Sequence, residues 1–380
     1  MVEDLRAGGN QMTVEDMRRY LAQERVPVHT TYRGNDVYAG PPPVTGGAVL
    51  AGKLNLLERE PVGGLMTEDA ATLHRMIEAW RFQPSTGGRV ADPDLWPVDI
   101  TPFESKDTAA LRWRCYSPAR ASVGGALSRE DCGDGGDSGG VDSGGVDRGN
   151  AGSTIHSSTI HSSTIHFRED PAAAEMCLAY DRECGGTGTT AYVVADAAGN
   201  IVSVTQTLGT WGGNFYVSPG LGFLYNDKLR SYGSNPAGYN ARIPYARNTT
   251  VISPTIVFRG SGASREPWFG VGAAGNAWIT AAVYTMVVGI VDHGLGAQAA
   301  LELPRFLAGG GGVQIEGGFA PSVLRELESM GHEFNAISLM GELRMGYGAA
   351  VVIDGAQVEA GGDPRRGGTG LAAGGAGGAR

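Results

Sequence analysis

The stretch that decides the fold is Thr189-Thr-Ala-Tyr-Val-Val-Ala-Asp-Ala-Ala-Gly-Asn-Ile-Val-Ser-Val-Thr-Gln-Thr207. Two β-branched runs, Thr189 to Ala195 and Ile201 to Thr207, flank Asp196-Ala-Ala-Gly-Asn200, and the Gly199-Asn200 end suits a tight hairpin. A Gly-rich approach, Cys184-Gly-Gly-Thr-Gly188, runs into the Thr pair that opens the first strand. A Thr hydroxyl is a weak nucleophile until a base takes its proton, and a free α-amino group, with a pKa of about 7.7 to 8.0, can do so at neutral pH. If the chain were cut before Thr189, that single residue would carry nucleophile and base together. Gly188 would then permit the backbone distortion that an N-to-O acyl shift needs. On spacing alone, a Thr pair at this position is more commonly an ordinary strand opening.

Working downstream, Thr250 to Phe258 reads as a strand interrupted at Ser253-Pro254, since Pro cannot donate to a sheet ladder. Gly270-Val-Gly-Ala-Ala-Gly275 leads into an apolar helix near Trp278 to Val291, with further helices at Ala297 to Leu303 and Pro321 to Met330 and a closing hairpin around Ala349 to Glu359. Strands, then packed helices, then strands predict a layered α+β domain. Upstream, helices are expected from Thr13 to Gln23 and from Thr67 to Phe82, with Thr13 and Thr67 as caps. Between them the Pro triplet and Gly pair of residues 31 to 47 predict a shaped loop. Residues 121 to 166 are low-complexity: DSGGV recurs from Asp137, and STIHS recurs from Ser153, spacing His156, His161 and His166 five apart. That segment buries too little apolar surface to offset chain entropy and reads as a solvated insertion. A period of five fits neither a helix face nor a zinc-ligand spacing, so no metal is expected.

Composition limits the function classes. Of 380 residues 61 are Gly, 42% are hydrophobic and 18% charged, which excludes a long coiled coil and a uniformly charged disordered chain. Lys and Arg number 30 against 40 Asp and Glu, so a nucleic-acid partner is not expected. The four cysteines, Cys115, Cys132, Cys177 and Cys184, form no CxxC pair, and a disulfide framework is not demanded at this length. No GxSxG occurs, which argues against a serine triad, and His74, His293 and His332 read as structural. No cofactor is expected. The opening MVEDLRAGGNQ shows no leader segment, and the run from Trp278 to Val291 is too short to span a bilayer unaided.

The block from Thr189 to Thr207 resembles the TT-H-Y-x-V-x-D-x-x-G-N-x-V-x-V-T-x-T signature of the gamma-glutamyltransferase (glutathione hydrolase) family, N-terminal-nucleophile hydrolases that cut themselves to expose a Thr. Gly222-Phe-Leu-Tyr-Asn-Asp, Ser253-Pro-Thr-Ile-Val, Gly272-Ala-Ala-Gly275, Asp292-His-Gly-Leu, Pro304-Arg-Phe306, Glu316-Gly-Gly-Phe and Gly361-Gly-Asp-Pro-Arg365 follow in the family's order. Before the repeats, Thr31-Tyr-Arg-Gly-Asn-Asp-Val-Tyr and Pro41-Pro-Pro-Val-Thr-Gly-Gly47 resemble its large-subunit signature.

The resemblance implies a four-layer αββα sandwich that is N-terminally incomplete, because the family's large subunit begins far upstream of the point matched by Met1. It divides the chain into the end of a large subunit (1–120), an insertion and linker to the processing site (121–188), a small subunit (189–366) and a Gly-rich tail (367–380).

It also implies site roles. Thr189 would be the nucleophile of self-cleavage and of acyl transfer, Thr207 would orient its hydroxyl, and the backbone N–H groups of Gly275 and Asn276 would form the oxyanion hole. Asn276 replaces the family's second Gly, and Ala191 replaces a His whose loss the α-amino base tolerates. The positions expected to hold the donor are Gly209, Asp227, Lys228, Ser231, Thr250 and Val251. Four of these depart from the family: Gly209 stands for Asn, Lys228 for Gln or Glu, Ser231 for Asp and Val251 for Ser. The implied partners are a γ-glutamyl donor and a water, amino-acid or peptide acceptor, with the two fragments remaining together as a heterodimer after self-cleavage. Two alternatives stay open: a diverged acylase acting on non-glutamyl donors, and a truncated, non-catalytic remnant.

Overall fold

The computed structural model describes residues 1–122, 187–309, 312–336 and 346–372. The DSGGV and STIHS repeats, Cys132, Cys177 and Cys184, and the end of the Gly-rich tail lie outside the described residues.

The strands in chain order are β1 (Val28–Tyr32), β2 (Asn35–Ala39), β3 (Thr187–Ala195), β4 (Ile201–Thr210), β5 (Thr255–Arg259), β6 (Glu266–Ala274), β7 (Phe306–Gly309), β8 (Gly312–Ile315), β9 (Phe334–Ala336), β10 (Tyr347–Asp354) and β11 (Gln357–Gly362). The helices are α1 (Val2–Ala7), α2 (Val14–Arg19), α3 (Gly46–Leu57), α4 (Ala70–Phe82), α5 (Thr101–Glu104), α6 (Lys106–Trp113), α7 (Trp278–His293), α8 (Ala297–Glu302) and α9 (Pro321–Ser329). Six strands form one sheet in the order β1-β2-β5-β6-β10-β11, and every pairing in it is antiparallel. The β7-β8-β9 strands form a small mixed sheet, and β3-β4 form a separate hairpin.

The period of two along each strand sorts the large sheet's faces. On β6, Phe269, Val271 and Ala273 enter the core shared with Leu50 and Leu54 of α3, Leu73 and Ile77 of α4, and Ile279 and Val283 of α7. The alternate residues Gly270 and Gly272 face the hairpin instead. A Cβ at Gly270 would lie 2.7 Å from Ile201 Cγ2 and 2.8 Å from Val193 Cγ1, so the absent side chains are what let the hairpin settle on the sheet. Ser203 Oγ adds a hydrogen bond of 2.8 Å to the Val271 carbonyl. Helices, large sheet and hairpin therefore stack as three layers. The hairpin's outer face is apolar and open, with Tyr192 45%, Val194 55% and Val202 54% exposed.

The hairpin, the apolar helix and the closing strands lie where the sequence places them, the strand expected from Thr250 begins only at Thr255, beyond the Ser253-Pro254 break, and three further expectations are corrected. The helix from Thr13 ends at Arg19 rather than Gln23, with Thr13 and Asp16 forming a reciprocal capping box. Asp69, not Thr67, caps α4, its carboxylate accepting from the backbone of Ala71 and Thr72. Within residues 31 to 47, Thr31 and Tyr32 end β1, Asn35 to Ala39 is strand β2 because Val37 and Ala39 enter the core between β1 and β5, and Gly46 and Gly47 open α3; only the turn at Arg33-Gly34 and residues 40–45 are loop. Cys115, beyond α6, is disulfide-bonded. Among the described residues no helix is long and apolar enough to cross a membrane.

His74 and His332 are buried against each other. His74 Nε2–H donates to the Ser117 carbonyl at 2.7 Å, which leaves Nδ1 to accept from His332 Nε2–H, also at 2.7 Å. Glu78, one turn along α4, accepts from Arg81 at 3.0 Å and from the Ser122 N–H at 3.2 Å. These three side chains lie close enough to ligate an ion, but the guanidinium of Arg81 already neutralises the only carboxylate. The cluster is a polar staple joining α4 to residues 117–122 and to the turn after α9.

Burial, with Arg81 and His74 nearby, holds His332 at a pKa of about 3. Its neutral form is thus favoured by folding: the stability is fully present above the unfolded value of about 6.5 and is lost as pH falls toward about 3. We expect the unfolding free energy to drop by about 2 kcal/mol more in the wild type than in His332→Gln between about pH 6.5 and about pH 4.5. Urea unfolding at the two pH values measures it, and parallel acid limbs would refute the assignment.

Candidate active site

The hairpin register builds the centre of the site. Thr189 pairs with Thr207, but Thr187 pairs with Thr210, so the ladder slips by one residue at Gly188. A Cβ on Gly188 would lie 1.9 Å from the Thr210 carbonyl oxygen, which makes Gly the residue this approach requires. Immediately after the slip, Thr189 is 3% exposed and its Oγ1 donates to Thr207 Oγ1 at 2.9 Å. The Gly209 N–H donates to the same Thr207 oxygen at 2.9 Å. Two donors converging on one hydroxyl oxygen fix the Thr207 rotamer and, through it, the direction of the Thr189 hydroxyl.

A second contact holds Thr189 from its other side. Arg366 Nη1 donates to the Thr189 carbonyl at 3.1 Å, and its guanidinium lies 4.9 Å from the Tyr347 ring centroid. Tyr347 pairs across the sheet with Ala274, the residue before Gly275. Gly275 has φ 130° and Asn276 φ 52°, so both residues of the expected oxyanion turn are in backbone regions with φ positive. Asn tolerates the left-handed conformation better than most residues, which explains how it can stand where a Gly is expected. Gly275 also packs so closely that a Cβ would lie 2.5 Å from Gly346 Cα. The turn feeds directly into α7, whose first N–H groups return to the carbonyls of Gly275 and Asn276 at 3.1 Å.

Beneath these contacts lies a buried four-charge network. Arg305 Nη2 bonds Asp363 at 2.5 Å, and Arg365 bonds Glu316 through two nitrogens at 2.6 and 2.8 Å and Asp363 at 3.1 Å. Glu316 also accepts from the Arg305 backbone N–H at 3.0 Å, and Asp363 from that of Gly348 at 2.8 Å. Arg305 Nη1 further donates to the Gly346 carbonyl. Burial pushes the Asp363 carboxyl up, but Arg305 and Arg365 overcome it and hold its pKa below the usual range. Burial lowers the pKa of Arg305, while Glu316 and Asp363 raise that of Arg365 against the same effect. Three motifs separated in sequence, around Arg305, Glu316 and Asp363-Pro-Arg365, thus meet in one cluster. Each motif is legible in the sequence; their convergence, and the contact of Arg366 with Thr189, are not.

The other expected site residues fall into two groups. Gly209 lies beside the Thr pair with φ 100°, and a Cβ there would meet Asp227 Oδ1 at 1.8 Å and Lys228 Cδ at 3.1 Å. Asp227 is tied to Thr210, accepting from its backbone N–H at 3.0 Å and its hydroxyl at 2.7 Å. Lys228 and Ser231 begin and end a single 3₁₀ turn. Thr250 and Val251 instead sit at the N-terminus of α3, where Thr45 donates to the Thr250 carbonyl at 2.8 Å and Gly46 packs beneath Val251 and Ile252. The Pro-rich motif and the Thr250 segment are therefore neighbours in space. A groove of about 1170 Å³ runs between β3, from Ala191 onward, and β10–β11, but neither Thr189 nor Thr207 lines it.

The family model described as Gamma-glutamyltranspeptidase matches residues 1–373. The chain belongs to the gamma-glutamyltranspeptidase family. It is 27% identical over 317 residues to the glutathione hydrolase proenzyme of Pseudomonas sp. (strain A14), covering 80% of this chain and 46% of that one. It is 24% identical over 334 residues to the acylase ACY 1 proenzyme of Pseudomonas sp. (strain V22), covering 88% of this chain and 50% of the relative. The chain spans about half the length of the curated relatives it matches. The fold is shared with the crystal structure of cephalosporin acylase from Bacillus halodurans, with a TM-score of 0.69 at 20% identity over 96% of this chain and 56% of that one. The relatives it matches thus include proteins named as glutathione hydrolase proenzymes and as acylase proenzymes.

The Thr189–Thr207 contact has a direct stability consequence. Thr207→Val keeps the shape but leaves two donors, the Thr189 hydroxyl and the Gly209 N–H, without their acceptor. We expect it to cost roughly 1–3 kcal/mol, whereas Thr207→Ser should stay within about 0.5 kcal/mol of the wild type. Denaturant unfolding checks the pair; equal stability of Val and Thr at this position would contradict the geometry.

Proposed function

We propose that the chain cuts itself before Thr189 and then uses the exposed Thr189 to transfer the acyl group of a γ-glutamyl or related amide to water or an amine. The observation that carries this reading is the buried Thr189 hydroxyl held at 2.9 Å by Thr207, directly after a residue that only Gly can occupy. In the first step Thr189 Oγ attacks the Gly188 carbonyl carbon, the C–N bond breaks, and the nitrogen takes the hydroxyl proton. Water hydrolyses the resulting ester to a Gly188 carboxylate and a free Thr189 amine. In turnover that amine takes the hydroxyl proton, Oγ attacks the donor carbonyl, and the ammonium returns the proton to the departing amine; water or an acceptor amine then attacks the acyl-Thr189 ester, giving its proton to the free amine, which passes it to the leaving Thr189 oxygen. The developing oxyanion is met by the N–H groups of Gly275 and Asn276. No metal or cofactor enters these steps.

The open apolar face of the hairpin supports a fourth layer. A two-stranded sheet is marginal alone, and Tyr192, Val194 and Val202 would be covered by helices in the complete αββα sandwich. In this reading the two fragments stay together as a heterodimer, because β5, from the C-terminal fragment, pairs with β2 from the N-terminal one and so joins both to one sheet.

Donor choice turns on Lys228. Its stem lies against Gly209, which itself donates to Thr207, and in this reading its ammonium would face the donor beside the Thr pair. A cation there repels an α-ammonium and attracts a carboxylate. Gly209, Asp227, Ser231, Thr250 and Val251 would complete the donor pocket around it. This favours the acylase reading, with donors whose acyl group ends in a carboxylate and lacks the α-ammonium. We expect a glutaryl anilide to be hydrolysed at least tenfold faster than a γ-glutamyl anilide or glutathione, Lys228→Glu to reverse the order, and Thr189→Ala to abolish both. Turnover of the γ-glutamyl donor alone would overturn the role of Lys228, and turnover surviving in Thr189→Ala would overturn the nucleophile.

A further inference from the structure

We propose that Arg366 is the positioning residue that keeps Thr189 in its reactive geometry after the chain has been cut. The proposal rests on the reading of Thr189 given above. Before cleavage Thr189 is tethered covalently on both sides. Cleavage turns it into a chain terminus, and termini fray unless something ties them down. Three groups leave the Thr189 Cα besides its hydrogen: the side chain, the carbonyl carbon and the nitrogen. The side chain is held by Thr207 at 2.9 Å, and the carbonyl by Arg366 at 3.1 Å. With two of the three fixed on a tetrahedral, chiral carbon, the direction of the third is fixed as well. The amino group is then presented to its own hydroxyl.

Arg366 is itself well placed for this. Its guanidinium stacks 4.9 Å from the Tyr347 ring centroid, and its predecessor Arg365 is locked to Glu316 and Asp363 in the buried network. A planar guanidinium can stack on a ring and donate in its own plane at the same time, so the platform and the hydrogen bond reinforce each other. The residue is otherwise exposed and outside the core. Its loss should leave folding intact while loosening the new terminus.

The test compares wild type, Arg366→Met, which keeps the stem but loses the donor, and Arg366→Lys, which restores a donor. Self-cleavage is followed by intact mass, and turnover by kcat and KM on whichever acyl anilide the wild type hydrolyses. We expect Arg366→Met to cut itself within about threefold of the wild-type rate, to lose tenfold or more in kcat, and to keep KM within about twofold. Arg366→Lys should recover most of the lost kcat. Should Arg366→Met fail to fold, Tyr347→Leu, which removes the stacking platform, carries the same expectation. An unchanged kcat, a rise in KM alone, or no recovery with Lys overturns the proposal. A wild-type chain that neither cuts itself nor turns over an anilide overturns the reading of Thr189, and this proposal with it, before any variant is compared.

Discussion

The buried network of Arg305, Asp363, Arg365 and Glu316 is the constraint on which the site geometry depends. Two cations and two anions balance, and with Arg305 fully buried and Asp363 1% exposed the cluster has little access to water. Such a cluster contributes little net stability when intact, because desolvation offsets attraction. Removing one member leaves an uncompensated buried charge at a cost of about 3–5 kcal/mol. The network therefore acts as a specification: its four members must meet, and the backbone segments that carry them are drawn together with them. One arm of it reaches the Gly346 carbonyl, against which Gly275 packs. Another ends in Arg366, one residue after Arg365, on the carbonyl of Thr189. Thr189 and the expected oxyanion turn are thus both anchored to the same buried charges, although neither touches them.

The remaining geometry follows from sheet periodicity. Because β6 sends Phe269, Val271 and Ala273 to the helices, its alternate positions must face the hairpin, and only small residues there allow the hairpin to lie close. The hairpin's register then sets Thr189 opposite Thr207, and the slip at Gly188 places the bond before Thr189 at the end of the regular ladder. Each of these steps is a packing decision made several residues away from the hydroxyl it positions.

Much of this was legible in the sequence and some was not, for physical reasons. The hairpin was readable because two β-branched runs around a Gly-Asn turn have little alternative, and α7 because a long apolar run must be buried. At Asn35 to Ala39 the local signal points to loop, because the alternation is short and the neighbours are Gly and Pro; tertiary pairing with β5 overrides it. For the α4 cap the sequence pattern does not distinguish Thr67 from Asp69, since Thr and Asp are interchangeable there; the structure shows the Asp69 carboxylate reaching the first free N–H groups. The pairing of His74 with His332 and of Arg305 with Asp363 joins residues far apart in the chain, and no local pattern encodes such a pairing. The Gly content, high enough to suggest low complexity, proves to include Gly188 and Gly275, where a Cβ would come within 1.9 and 2.5 Å of backbone atoms.

Self-cleavage before Thr189 is the step on which the proposed chemistry depends. Intact-mass measurement of the purified chain after prolonged incubation tests it most directly. The account predicts two polypeptides, residues 1–188 and 189–380, whose masses sum to that of the 380-residue chain plus one water. A chain that stays whole, or a new N-terminus at any residue other than Thr189, would contradict it.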